Sequence, residues 1–231
     1  MKRVLITGSN RGLGLALAGE SLDRGYRVFA TCRRPDEAQE LRRLQDRNPD
    51  LVTILRLDVT DEESIQGAVD AVAVQVDGLD LLINNAGINP DEYLGGLAAD
   101  TMLHTYHVNS VGPILVAQAY LDLLRAADDA RVLNISSTSG SLAQKSSGGG
   151  YSYSSSKSAL NMLTRALAFD LRSVGIVVIA IHPGWVRTDM GGASAPLSPA
   201  ASARGILDVA DDVDGEDTGS FLRHDGRGAP W

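Results

Sequence analysis

Cysteine is all but missing from this chain: Cys32 stands alone among 231 residues. That excludes an internal disulfide framework and any cysteine-rich zinc site, and it fits a reducing cytoplasm. Long apolar runs are missing too. None approaches the roughly 18 to 20 residues of a membrane-spanning helix, and the opening MKRVLITGSN offers too short an apolar run for a secretory leader. A soluble, cytoplasmic protein without a membrane partner is expected. Basic charge is in deficit, with 21 Lys+Arg against 29 Asp+Glu and a formal net charge of −8. This balance argues against nucleic acid or an anionic surface as the main partner, since either would repel the average surface. No Pro/Gly-rich linker and no longer repeat interrupts the chain, so residues 1–231 read as a single domain.

What the sequence does have is a rhythm. Short apolar runs, RVLIT (3–7), YRVFATC (26–32), LVTILRL (51–57), LDLLINN (79–85), ARVLNIS (130–136) and GIVVIAIH (175–182), alternate with stretches of helical period. Continuous rather than alternating apolarity suits strands buried on both faces. Helices are predicted over 12–25, 36–47, 61–76, 99–127 and 152–174. Gly25 and Gly175 act as left-handed terminators, and Thr60 with Glu63 forms a capping box. Six or seven βα units make an α/β, doubly wound Rossmann fold: a central parallel sheet of about seven strands with helices on both faces. Residues 145–150 read as a loop, and 191–218 as a loop region with at most one short helix.

Chemistry gathers where strands end. TGSNRGLG (7–14) joins the first strand to the first helix. There Gly8, Gly12 and Gly14, with Ser9, Asn10, Arg11 and Leu13 between them, can turn tightly and bring backbone amides to a pyrophosphate at a helix N-terminus. After the second strand, Cys32 stands where folds that take NAD usually place an acid. Arg33 follows, and Arg11 sits in the turn, so positive charge converges where the 2′-phosphate of NADP(H) would lie. Arg34 reads as solvated loop. Asp58, followed by Val59, stands at the end of the third strand, where a carboxylate can meet an adenine amino group or equally brace its own loop. NNAG closes the fourth strand and places Asn85, Ala86 and Gly87 beside a ribose.

Tyr153 and Lys157 lie four apart in YSYSSSK (151–157), hence on one helical face. A lysine cation there favours phenolate and lowers the phenol's pKa. Ser137, preferred over Ser136, ends the fifth strand where its hydroxyl can reach a carbonyl beside Tyr153. Asn109 lies inside a predicted helix although asparagine is a poor helix former. Its amide either binds a water that feeds Lys157 or bonds locally at a kink near Gly112 and Pro113.

TGxxxGxG, NNAG, a helix asparagine, a strand serine, YxxxK and a PG motif occur in that order across residues 7–188. In this the chain resembles the short-chain dehydrogenase/reductase family, and HPGWVRTDMGG (182–192) with the ending FLRHDGRGAPW is similar to its branch of sniffer-type carbonyl reductases and C-factor proteins. The resemblance implies a catalytic tetrad of Asn109, Ser137, Tyr153 and Lys157. It further implies that Pro183, Gly184, Val186 and Thr188 cradle the nicotinamide end, that no metal is used, and that the chain forms a homodimer or homotetramer through the helices at 99–127 and 152–174. The expected activity is NADPH-dependent reduction of a ketone or aldehyde, with Tyr153 giving the proton. A cofactor-sensing or C-factor-like signalling protein and an NAD-linked alcohol dehydrogenase are the alternatives. Tyr93, Leu142, Trp185 and Met190 are expected to make an apolar pocket for a small carbonyl or alcohol substrate.

Overall fold

The computed structural model describes residues 1–231. Its strands are β1 (Arg3–Ile6), β2 (Arg27–Cys32), β3 (Val52–Arg56), β4 (Leu81–Asn84), β5 (Arg131–Ile135), β6 (Val177–His182) and β7 (Phe221–Arg223). They form one sheet in the order β3-β2-β1-β4-β5-β6-β7, parallel throughout. The order reverses between β1 and β4, the place where doubly wound sheets open a crevice beyond their strand ends.

The apolar runs are buried on both faces because successive residues point to opposite sides. Val4, Ile6, Val28, Ala30, Ile179 and Ile181 face one layer, where Leu17 of α1 (Gly12–Asp23), Leu41 of α2 (Gln39–Arg47) and Ile206 of α8 (Pro199–Asp212) cover them. Leu5, Phe29, Leu82, Val132 and Val178 face the other, under Ile65 of α3 (Glu62–Ala73), Val116 of α5 (Gly112–Ala119), Leu124 of α6 (Leu121–Arg125) and Ala168 of α7 (Tyr151–Leu171). Gly25 and Gly175 are left-handed, at φ 74° and 76°, and end their helices as expected.

Three expectations need correction. The run 99–127 is not one helix: α4 (Ala99–Tyr106) passes through a wide five-residue π turn, His107–Val111, into α5, and a further break at Tyr120 precedes α6. Pro113 explains the first break, since it has no N–H to give the carbonyl of Asn109 four residues earlier. The capping box at Thr60 and Glu63 does not form. Asp61 caps α3 by accepting from the Ser64 N–H, while the Thr60 hydroxyl donates to Asp58. Finally, 191–218 holds the fourteen-residue α8, capped by Ser198 and packed on α1, longer than its Gly- and Ala-rich composition promised.

Candidate active site

Beyond the carboxyl ends of β1 to β6 lies a cavity of about 560 Å³. The glycine turn, beyond β1, lies in its middle. The Gly14 backbone sits so close to the strand that a Cβ there would lie 2.2 Å from the Gly8 carbonyl oxygen. Only glycine lets the helix start approach the turn this closely, which leaves the first amides of α1 open to an anion. Asn85 locks the turn from β4, its Nδ2 donating to the carbonyls of Thr7 at 2.9 Å and Gly8 at 3.1 Å, while the Thr7 hydroxyl accepts from the Asn85 and Ala86 N–H groups.

Of the expected cofactor residues in the turn, Gly8, Asn10, Arg11, Gly12, Leu13 and Gly14 line the cavity. Ser9 does not: it is buried, its N–H donates to Thr31 and its hydroxyl to Ile6, so it shapes the turn from within. Arg33, Asp58 and Val59, beyond β2 and β3, line the cavity on one side of the turn; Asn85, Ala86 and Gly87, beyond β4, and Pro183, Gly184, Val186 and Thr188, beyond β6, line it on the other. Arg34 pairs with Glu37 on the surface, as its solvated-loop reading held. Asp58 braces its loop, accepting from the Thr60 N–H and hydroxyl; these bonds, with Arg33 and Arg56 nearby, hold its carboxyl below the usual range against desolvation, which acts the other way.

The two arginines and the open turn fit a dinucleotide carrying an extra phosphate. Arg11 reaches across the cavity mouth to Asp189 at 2.8 Å. Asp189, Asn89 and His182 line the cavity although the sequence pattern did not single them out for it. His182 could have been found from its place directly before Pro183 at a strand end. Its imidazole is pushed down to about 4 by burial, with Arg223 and His224 adding to the effect, and stays neutral near pH 7.

Tyr153, Lys157 and Ser137 meet on the same wall. The helical spacing puts Tyr153 and Lys157 on one face of α7, and β5 delivers Ser137, whose hydroxyl caps the short turn Thr138–Gly140 by accepting from the Ser139 N–H. Lys157 is only 5% exposed, and its Nζ donates to the Ile135 carbonyl at 2.7 Å. No carboxylate meets it, so burial lowers its pKa to about 8. The expectation that Lys157 lowers the Tyr153 phenol is not met: desolvation raises the phenol, and the adjacent Ser137 hydroxyl offsets part of that rise. The ammonium lies 5.9 Å from the Tyr153 ring centre and spends its hydrogen bond on a backbone carbonyl.

Asn109 does not reach the cavity. Its Oδ1 accepts from the Ile88 N–H at 2.8 Å, and its Nδ2 donates to the Ile88 carbonyl at 2.8 Å and the Ser156 hydroxyl at 3.0 Å. The amide therefore holds the loop after β4 against α7, so its bonding is not purely local. Among the expected apolar pocket residues, Trp185 and Met190 line the cavity, whereas Tyr93 and Leu142 do not and stand 72% and 81% exposed.

Comparison with known proteins bears on what this site is for. A family model described as short chain dehydrogenase matches residues 2–196. An NADPH-bound carbonyl reductase from chicken fatty liver is 38% identical, with a TM-score of 0.95 over 100% of this chain and 99% of that one. The carbonyl reductase Sniffer of D. melanogaster is 35% identical, with a TM-score of 0.95 over the whole of both chains. The C-signal protein of Myxococcus xanthus is 43% identical over 154 residues, covering 66% of this chain and 93% of that protein.

Proposed function

From the premise that the chain belongs to the short-chain dehydrogenase family, we propose that it is an NADPH-dependent carbonyl reductase acting on a ketone or aldehyde. One observation carries this reading: Tyr153, Ser137 and Lys157 line the same cavity as an open glycine turn, Arg11 and Arg33. When bound, the dinucleotide supplies the hydride. Arg11 and Arg33 hold its 2′-phosphate, and the turn's amides hold the pyrophosphate. Tyr153, its phenol protonated at neutral pH, donates a proton to the substrate oxygen, and the Ser137 hydroxyl steadies the charge developing there. Lys157, its Nζ donating to the Ile135 carbonyl, ties the helix that carries Tyr153 to the end of β5. Trp185 and Met190 give the substrate end an apolar wall.

The same reading makes the protein a cytoplasmic homodimer or homotetramer joined through α4–α5 and α7, supported by the exposed Leu103, Met162 and Phe169 on those helices. The likeness to C-signal favours a second reading, a signalling protein that binds cofactor without turnover.

The test is to titrate purified protein with NADPH and NADH and then follow cofactor oxidation over a panel of ketones, aldehydes and quinones. Tighter NADPH binding together with reduction of a panel member is the expected result. Binding without reduction of any carbonyl would move signalling to the front, and a preference for NADH with alcohol oxidation would replace reduction by the reverse reaction.

A further inference from the structure

Resting on the reductase reading, we propose that Glu92 is a positioning residue, tying the loop after β4 to the helical turn that carries Tyr153. The first turn of α7 is poorly provided for by its own sequence. Gly150 stands at its cap with φ 62° and no side chain, and no acidic residue follows in the first turn. Ser154 bonds back to Gly150, but the amides ahead of it need an acceptor from elsewhere. Glu92, sixty residues earlier, provides one. Its carboxylate accepts from the Ser152 N–H and, through Oε2, from the Ser152 hydroxyl at 2.5 Å. Ser152 is fully buried, so water cannot take over these bonds. A carboxylate is favoured there because a helix N-terminus carries partial positive charge.

Glu92 is equally the last fixed point of its own loop. From the end of β4 the chain is pinned at Asn85 to the glycine turn, at Ile88 to Asn109, and at Glu92 to Ser152. Directly beyond, Tyr93 and Leu94 are 72% and 74% exposed. Ile88 and, between it and Glu92, Asn89 line the cavity, as does Tyr153, the neighbour of Ser152. One carboxylate therefore holds two walls in register: the loop on the substrate side and the turn that presents the phenol. The glycine turn, beyond β1, and Arg33, beyond β2, take no bond from Glu92, whose partners are the Ser152 N–H and hydroxyl.

The experiment compares wild type, Glu92→Ala and Glu92→Gln by steady-state kinetics with NADPH and the best carbonyl, by NADPH affinity, and by amide hydrogen exchange. Glu92→Ala is expected to lower kcat and raise KM for the carbonyl, cutting kcat/KM about tenfold, with NADPH Kd held within about twofold. Exchange at residues 151–154 should quicken about tenfold while residues 160–170 stay protected. Glu92→Gln keeps an acceptor oxygen for the Ser152 N–H and should recover most of both. Unchanged kinetics and exchange in Glu92→Ala overturn the proposal, as does faster exchange along the whole of α7 accompanied by lost NADPH affinity. If wild type reduces no carbonyl, the reductase reading has failed, and exchange at 151–154 then decides alone whether Glu92 anchors the turn.

Discussion

The two ends of the sheet treat buried charge in opposite ways. At the amino end of the strands, Arg3 meets Asp80 through Nε at 2.7 Å and Nη2 at 2.9 Å, and its backbone N–H adds a third bond at 2.6 Å. Desolvation pushes the Asp80 carboxyl up, but these bonds overcome it and hold the group below the usual range, charged. Arg24, Lys2 and Tyr26 gather in the same manner around Asp211. At the carboxyl end Lys157 is more deeply buried than any of these and has only a backbone carbonyl. Its pKa falls toward neutrality, while desolvation raises the Tyr153 phenol and keeps it protonated. Pairing fixes a charge for stability, whereas burial without pairing leaves it responsive, and perturbed groups of this kind cluster at functional sites.

Four measurements can break or sharpen this contrast. The largest effect is expected from Tyr153→Phe: about a 10³-fold loss of turnover, within the usual span for a general acid, with cofactor affinity and melting temperature nearly unchanged. An equally active variant would end the contrast at its functional side. Next, Asp80→Ala strands Arg3 and should cost about 2 kcal/mol, discounted from the figure for a fully buried pair because both side chains are partly exposed. Turnover at a permissive temperature should not change, and in wild type this share of stability, present above the unfolded aspartate pKa, should fade as pH drops below about 4. Loss of turnover in step with stability would mean that the two ends are not separable.

Lys157→Met is expected to raise stability by about 1 to 2 kcal/mol at pH 7, the relieved desolvation offset by the hydrogen bond lost to Ile135. The native lysine releases its proton near pH 8 and the unfolded one near 10.5, so the unfolded state binds more protons between those values and wild-type stability climbs there. The advantage of the variant should shrink across that window; a constant advantage would show that charge is not its source. The smallest effect is Arg33→Ala, with NADPH Kd raised about tenfold and NADH Kd unmoved, read by titration. Equal weakening of both would take Arg33 away from the 2′-phosphate.

Much of this was legible in the residues. The apolar runs marked six of the seven strands to within two residues at either end, since a parallel strand buried on both faces needs uninterrupted apolarity. Tyr153 and Lys157 could be paired because helical spacing is a local rule. The break at His107–Val111 was half visible in Pro113, but the composition of 191–218 concealed α8, which packs on α1 and sets Gly205 against the His224 backbone.

The sequence by itself thus determined the strand and helix rhythm, the glycine turn, and which side chains leave the strand ends, because each depends on residues a turn or a strand apart. Tertiary structure alone decided the rest. Asn109 holds Ile88, Glu92 holds Ser152, Arg11 reaches Asp189, and Lys157 meets a carbonyl rather than a carboxylate. These contacts join residues 21 to 178 positions apart. Burial, which sets the direction of the Tyr153 and Lys157 shifts, exists only once the layers have closed, and no local pattern carries that information.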